Sequence, residues 1–216
     1  EGFRKDHIFV TGSPMCEVLD NFSSEIKNSQ ILNELKLVKN KYFVVSAHRE
    51  ENIDFKKHFD ELCESINSLA DIYKIPVIFS THPRTQKRIN NKSVKFNPLV
   101  RLCKPFGFFD YVKLQLNSYC VLSDSGTISE ESAIMNFPAV SIRNSTERPE
   151  AIDAGTIILG GLNKVSVLNS VELCKATFLS ENKIIPWEYK VMNTSDRVLR
   201  TIQSYTSIVN KVIWNK

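Results

Sequence analysis

Short apolar runs separated by longer amphipathic stretches constrain this chain more than any other feature. The runs are His7-Ile8-Phe9-Val10-Thr11, Tyr42-Phe43-Val44-Val45-Ser46, Pro76-Val77-Ile78-Phe79-Ser80, Leu99-Val100-Arg101-Leu102, Tyr119-Cys120-Val121-Leu122, Ala139-Val140-Ser141-Ile142 and Thr156-Ile157-Ile158-Leu159. Each reads as a strand, and nearly continuous apolarity indicates a sheet covered on both faces. The spacers are long enough for crossover helices. One of them carries Phe55, Phe59, Leu62, Cys63, Ile66, Leu69, Ala70 and Tyr73 at steps of three and four, a single helical stripe. Residues 14–38, broken near Asn21 to Ser24, and 108–117, 127–136 and 164–180 are further predicted helices. The alternation predicts an α/β fold with a Rossmann-like, doubly wound parallel sheet.

The rhythm changes at Ile185-Pro186-Trp187, after which Val198, Leu199, Ile202, Tyr205, Ile208, Val209 and Val212 form the stripe of a last helix. Residues 1–185 are therefore expected to form one domain and 186–216 a helical tail. No internal repeat or low-complexity segment interrupts the domain.

Composition narrows the function classes. The chain has 216 residues, 42% hydrophobic and 24% charged, enough apolar mass for one large core or two small ones. No apolar run approaches the ~20 residues of a membrane span, and the charged start has no signal-peptide core behind it. The formal charge of +4 is spread along the chain without a basic run, which argues against nucleic acid and fits a local anionic ligand. Five cysteines with no CxxC spacing read as reduced core residues of a cytoplasmic protein. The chain does not begin with methionine and is expected to be a piece of a longer protein.

Ligands of such sheets bind beyond the carboxyl ends of the strands, so the polar residues that follow apolar runs carry the chemistry. Ser123-Asp124-Ser125-Gly126-Thr127-Ile128-Ser129-Glu130-Glu131 runs from a strand into a helix. Unpaired N–H groups at the helix start, the helix dipole and a glycine without a side chain suit a phosphate. A capping box between Thr127 and Glu130, or Ser125 acting as a cap, accounts for the same pattern without a ligand. Glu131 shares a helical face with Thr127 and suits ribose hydroxyls.

Ser46-Ala47-His48-Arg49-Glu50-Glu51-Asn52 places an imidazole and a guanidinium where a strand ends. Arg49 suits bidentate phosphate binding, and a surface ion pair with Glu50 or Glu51 is the alternative. His82-Pro83-Arg84 follows the next strand, which brings two histidines to one sheet edge. No third ligand at metal spacing accompanies them, so no metal is expected. Ile142-Arg143-Asn144-Ser145-Thr146-Glu147-Arg148-Pro149-Glu150 ends a strand and opens a short helix with proline at its first position. Arg148 is either neutralised there by Glu147 and Glu150 or set beside the 125–127 turn.

His48-Arg49-Glu50-Glu51-Asn52, His82-Pro83, Ser123-Asp124-Ser125-Gly126, Glu130-Glu131 and Thr146-Glu147-Arg148-Pro149-Glu150-Ala151 with Gly155-Thr156, in this order, resemble the C-terminal half of the non-hydrolysing UDP-N-acetylglucosamine 2-epimerases. Ile8-Phe9-Val10-Thr11-Gly12-Ser13-Pro14 resembles the start of that family's second domain. The resemblance implies the second half of a GT-B-like pair of Rossmann-like domains, with the first domain absent and the tail packing toward it. It implies a UDP-activated amino sugar as ligand, a homodimer and no cofactor. Arg49, Ser125 and Gly126 would meet the diphosphate and Glu131 the ribose, with Thr127 also in the substrate-binding set. Phe109 would stack on the uracil, His82 would join the substrate-binding set, and His48 and Arg148 would be the catalytic candidates near the reacting end.

Two departures refine this expectation. Glu50 stands where many members carry a second arginine, and Thr127 where many carry a second glycine. Both look more like the branch that makes UDP-N-acetyl-L-fucosamine from its L-talosamine epimer in surface polysaccharide synthesis. The implied reaction inverts C2 through elimination and re-addition of UDP, with acid and base carboxylates on the absent domain. Other readings are a hydrolysing 2-epimerase that releases UDP and N-acetylmannosamine, a glycosyltransferase of the same architecture, and a non-catalytic nucleotide-binding fragment.

Overall fold

The computed structural model describes residues 2–178 and 184–216. Six strands form one parallel sheet: β1 Phe43–Ser46, β2 Val77–Ser80, β3 Val100–Cys103, β4 Cys120–Ser123, β5 Ala139–Ser141 and β6 Ile158–Leu159. Their order is β3-β2-β1-β4-β5-β6, so the chain reverses direction across the sheet between β1 and β4. Sheets of this order place their ligand crevice at such a switch point, beyond the strand ends. Register places Ser46 beside Ser80 on one side and Ser123 on the other, which aligns the three following loops on one rim.

The helices are α1 Met15–Asn21, α2 Ser23–Asn28, α3 Ile31–Glu34, α4 Glu50–Ile53, α5 Lys56–Tyr73, α6 Pro83–Lys92, α7 Phe108–Asn117, α8 Ile128–Met135, α9 Pro149–Asp153, α10 Lys164–Phe178 and α11 Thr194–Val212. Alternate strand residues face two cores, as period-two geometry requires. Phe43, Val45, Phe79, Leu122 and Val140 pack under α5 and α10 with Phe59, Leu62, Ile66 and Val171. Tyr42, Val44, Ile78 and Val121 face α7, α8 and α9 through Leu114, Ile128 and Ala151. A third, small cluster of Leu19, Ile26 and Val112 seats α1 and α2 on α7.

Most predicted elements form within a residue or two, including the break in the 14–38 stretch. The last two residues of the predicted helix 164–180 lie outside the described ones. Residues 83–92 form α6, which the sequence pattern did not suggest, because that helix buries only Thr85 and Ile89.

The first apolar run departs from expectation. Residues 8–11 pair with no strand among the described residues, and Ile8, Phe9 and Val10 are exposed by 51%, 45% and 61%. Phe9 lies instead against Tyr205 of α11, with ring centroids 4.7 Å apart. Gly12, at φ +97°, lets the following segment pass beside Val191, and Ser13 N–H donates to the Glu188 carbonyl. The apolar run was real, but its neighbour is a helix at the other end of the sequence.

Candidate functional site at the switch point

The two loops that flank the crevice are bound together by one carboxylate. Asp124, which follows β4, is fully buried. Its Oδ2 accepts the main-chain N–H groups of His48 and Arg49, each at 2.9 Å, and the Asn52 side-chain amide at 3.1 Å. The same Asn52 amide donates to the Ile142 carbonyl at the end of β5. Loops after β1, β4 and β5 therefore share one hydrogen-bonded knot, and buried polar groups are tolerable only when satisfied in this way.

Arg49 leans over the 125–127 turn. Its Nε donates to the Asp124 carbonyl at 2.9 Å, and a methyl group built on Gly126 would stand 3.9 Å from the nearer Arg49 Nη atom. The alternative surface pair with Glu50 or Glu51 does not form among the described residues. Arg49 instead approaches Glu147 at 3.4 Å, while Glu50 binds Arg84 at 2.6 Å.

Nor does the capping box form. Thr127 is the N-cap of α8, yet its side chain makes no cap hydrogen bond and pairs with Ser125 Oγ at 2.9 Å. Ser125 N–H is held by Ser123 Oγ. No hydrogen bond among the described residues uses the N–H groups of Gly126 and Thr127. Two donors at a helix start beside a guanidinium have the chemistry to receive an anion.

Glu130 and Glu131 diverge as their helical spacing requires. Glu130 is buried, receives Arg148 Nε at 2.8 Å and is bonded by the Ser13 hydroxyl. Glu131 receives the Gln115 side-chain amide at 2.7 Å. Burial raises the Glu131 carboxyl above its ordinary range, against the hydrogen bonds of Gln115 and Thr127.

Arg148 stands at the N-cap of α9, with β5 and β4 adjacent as expected, but its carboxylate partner is Glu130 and not Glu147 or Glu150. Glu147 is held by Arg143, which also binds Glu51. That ion pair draws the Glu147 carboxyl down to about 2.

His48 and His82 face each other with ring centroids 6.4 Å apart. His82 caps α6, its Nδ1 accepting the Arg84 N–H at 3.3 Å. No group of three or more His, Cys, Asp or Glu side chains among the described residues could hold a metal ion. Phe109 opens α7 after β3, and its ring packs on Phe22 at 5.3 Å and Phe108 at 5.8 Å. No ring contact joins it to the crevice residues among those described.

The structure thus brings His48, Arg49, His82, Ser125, Gly126, Thr127, Glu131 and Arg148 to one rim and leaves Phe109 on its flank. Sequence reasoning passed over Asp124, Asn52 and Arg143. The only signal for Asp124 was a charged residue between two serines at a strand end; its partners become visible only through the β1–β4 register.

Residues 1–203 match the family model described as UDP-N-acetylglucosamine 2-epimerase. The UDP-N-acetylglucosamine 2-epimerase of Methanocaldococcus jannaschii is 33% identical over 181 residues, covering 80% of this chain and 49% of that protein. That of Campylobacter jejuni is 32% identical and covers 78% and 46%. The chain spans about half the length of the curated relatives it matches. A UDP-N-acetylglucosamine 2-epimerase structure from Rickettsia bellii superposes with a TM-score of 0.83 at 38% identity, covering 95% of this chain and 56% of that one. The M. jannaschii UDP-GlcNAc 2-epimerase in complex with UDP-GlcNAc and UDP gives 0.82 at 28% identity, covering 94% and 56%. With a family match over most of its length and relatives above 30% identity, the chain belongs to the UDP-N-acetylglucosamine 2-epimerase family.

Proposed function

We propose that this chain supplies the nucleotide-binding half of an enzyme that inverts C2 of a UDP-2-acetamido sugar. The observation that carries the reading is the convergence of Arg49, the 125–127 turn and Arg148 beside the β1–β4 switch point. Arg49 and the Gly126 and Thr127 N–H groups take the diphosphate, and Glu131 accepts from the ribose. His48 and Arg148 stand at the reacting end, where the sugar joins the diphosphate, with His82 beside them. Phe109 meets the uracil at the flank, which requires its ring to move from Phe22.

In the reaction, a base removes the C2 proton as the C1–O bond breaks. The electron pair forms the C1=C2 bond of a 2-acetamidoglycal, and UDP leaves with the C–O pair. UDP then re-adds at C1 while a proton is delivered to the opposite face of C2. The cations of this chain stabilise charge developing on the leaving diphosphate. Keeping UDP beside the glycal makes the return step effectively unimolecular. The acid and base carboxylates belong to a further domain. The exposed stripe of Val198, Leu199, Ile202 and Val212 on α11 packs toward that domain, and the complete protein is a cytoplasmic homodimer.

Glu50 and Thr127 support a 6-deoxy substrate, UDP-N-acetyl-L-talosamine converted to UDP-N-acetyl-L-fucosamine. Proton NMR of the complete protein in D2O, given each nucleotide sugar in turn, tests the reaction. Deuterium at C2 of an intact nucleotide sugar supports it. Free sugar with UDP assigns the hydrolysing reaction instead, and transfer to an acceptor assigns a glycosyltransferase. The 216-residue chain alone is expected to bind UDP weakly and turn over neither sugar; epimerisation by it would overturn the division of labour.

A further inference from the structure

The buried carboxylate that ties the β1 and β4 loops also touches the imidazole. Asp124 Oδ1 lies 3.1 Å from His48 Nδ1, while Asp124 is fully buried and the His48 side chain is 47% exposed. Five contacts converge on this carboxylate: His48 N–H on both oxygens, Arg49 N–H, the Asn52 amide and the imidazole. Every main-chain and amide partner is a donor. A carboxylate so surrounded acts as an acceptor, and the proton between it and the imidazole resides on Nδ1.

We propose that Asp124 is the positioning residue of the site, fixing His48 in the form protonated at Nδ1 so that Nε2 is the nitrogen offered to the diphosphate. The direction toward the diphosphate rests on the nucleotide reading above; the hold of Asp124 on His48 does not. One residue thereby orients both cations of the crevice. Its carboxylate accepts the main-chain N–H of Arg49 and its main-chain carbonyl accepts Arg49 Nε, while the carboxylate holds His48 through the main-chain N–H and the ring.

The charged and titratable groups facing His48 are Asp124 from the end of β4, Arg49 beside it and His82 from the start of α6. The Asp124 hydrogen bond raises the imidazole above its ordinary 6.5; burial and Arg49 oppose it. His48 is consequently a cation over a wider pH range than a free histidine, and Nε2 then carries a proton to donate to a phosphate oxygen.

Nitrogen-15 NMR of the 216-residue chain across pH tests this, with His48 assigned by its loss in His48→Gln. Expected are the Nδ1–H tautomer at high pH, a midpoint above 6.5, and in Asp124→Asn a midpoint falling toward 6.5 with the Nε2–H tautomer gaining. A dominant Nε2–H tautomer in the unaltered chain overturns the proposal whether or not Asp124→Asn folds. An unmoved midpoint in folded Asp124→Asn overturns it equally.

Calorimetry with UDP supplies the second readout. The ratio of UDP affinities, unaltered chain over His48→Gln, is expected to fall by about threefold or more between pH 6 and 8 as the imidazole loses its proton. The ratio removes the nucleotide's own phosphate titration. A flat ratio overturns the Nε2–diphosphate contact. Absence of UDP binding overturns the nucleotide reading, and the tautomer then decides the Asp124–His48 relationship by itself.

Discussion

Glu130 and Arg148 are joined by a 2.8 Å hydrogen bond from the guanidinium Nε, and the second oxygen of the same carboxylate takes the hydroxyl of Ser13. Three separate segments of the chain thus meet on one buried acid at the start of α8. Arg148 owes its place on the rim to this contact, since its own loop offers it only a main-chain carbonyl at 3.4 Å. Substitution Glu130→Gln keeps the size and removes the charge that anchors the guanidinium. We expect a loss of about 1–2 kcal/mol, at the low end for a charged hydrogen bond because Arg148 is partly solvated. Urea denaturation measures it, and unchanged stability would show that the pair contributes nothing net.

Arg49→Lys tests the anion grip. A lysine carries one nitrogen head, which cannot both hold the Asp124 carbonyl and offer a fork over Gly126. UDP binding to the 216-residue chain should weaken by about 1.5–3 kcal/mol, roughly tenfold or more. Isothermal titration calorimetry at fixed salt provides the number, and equal affinity would remove Arg49 from the diphosphate.

Glu147 governs an acid-sensitive contact. Its folded value of about 2 lies below the ordinary 4.5, because Arg143 holds the ionised form. The stabilisation is present above 4.5 and is lost as pH falls through about 2. Glu131 has the opposite sign: burial raises it, so its contribution falls as pH rises through the region above 4.5. Urea midpoints collected from pH 2 to 6 should decline at the acid end in the unaltered chain and decline less in Glu147→Gln. Parallel acid limbs for the two proteins would refute the assignment.

Gly12→Ala addresses the junction between the first segment and the tail. The residue sits at φ +97°, and an added Cβ would approach Val191 Cβ and Cγ2 at 2.8 Å. Both the backbone and the contact oppose the substitution, with an expected cost of about 1–3 kcal/mol. Thermal unfolding followed by circular dichroism is the measurement, and an unshifted midpoint would mean that Val191 yields freely.

How much of this was legible before the structure depends on the kind of signal. The β1, β2, β4 and β5 runs are apolar on both faces because helices cover both, and such runs stand out in a sequence. The 7–11 run looked identical to them by composition. Only the sheet order shows that neither edge strand, β3 nor β6, takes it as a neighbour. The α6 segment was hidden for the converse reason, since a helix that buries two side chains leaves almost no stripe. At the site, residues that protrude into the crevice were readable from strand-end position and residue type. The positioning set of Asp124, Asn52 and Arg143 was not, because Asp124 and Asn52 act through partners 72 to 90 residues away and Arg143 joins the nearby Glu147 to Glu51, 92 residues distant. Local spacing offers Glu130 to Thr127 as an alternative capping partner, and the distant Ser13 and Arg148 outcompete that local bond.

The approach of Glu147 to Arg49 has a consequence for how a nucleotide arrives. The guanidinium is already fixed at its Nε end, and an internal anion already stands near its outer end. Under the proposed function, capture would exchange one negative partner for another on a limb that needs little ordering, the entropic penalty of immobilising a long side chain having been met during folding. Affinity at this position would then be set by the competition between two anions, and weakening the resident one would be a route to a tighter grip on the visitor.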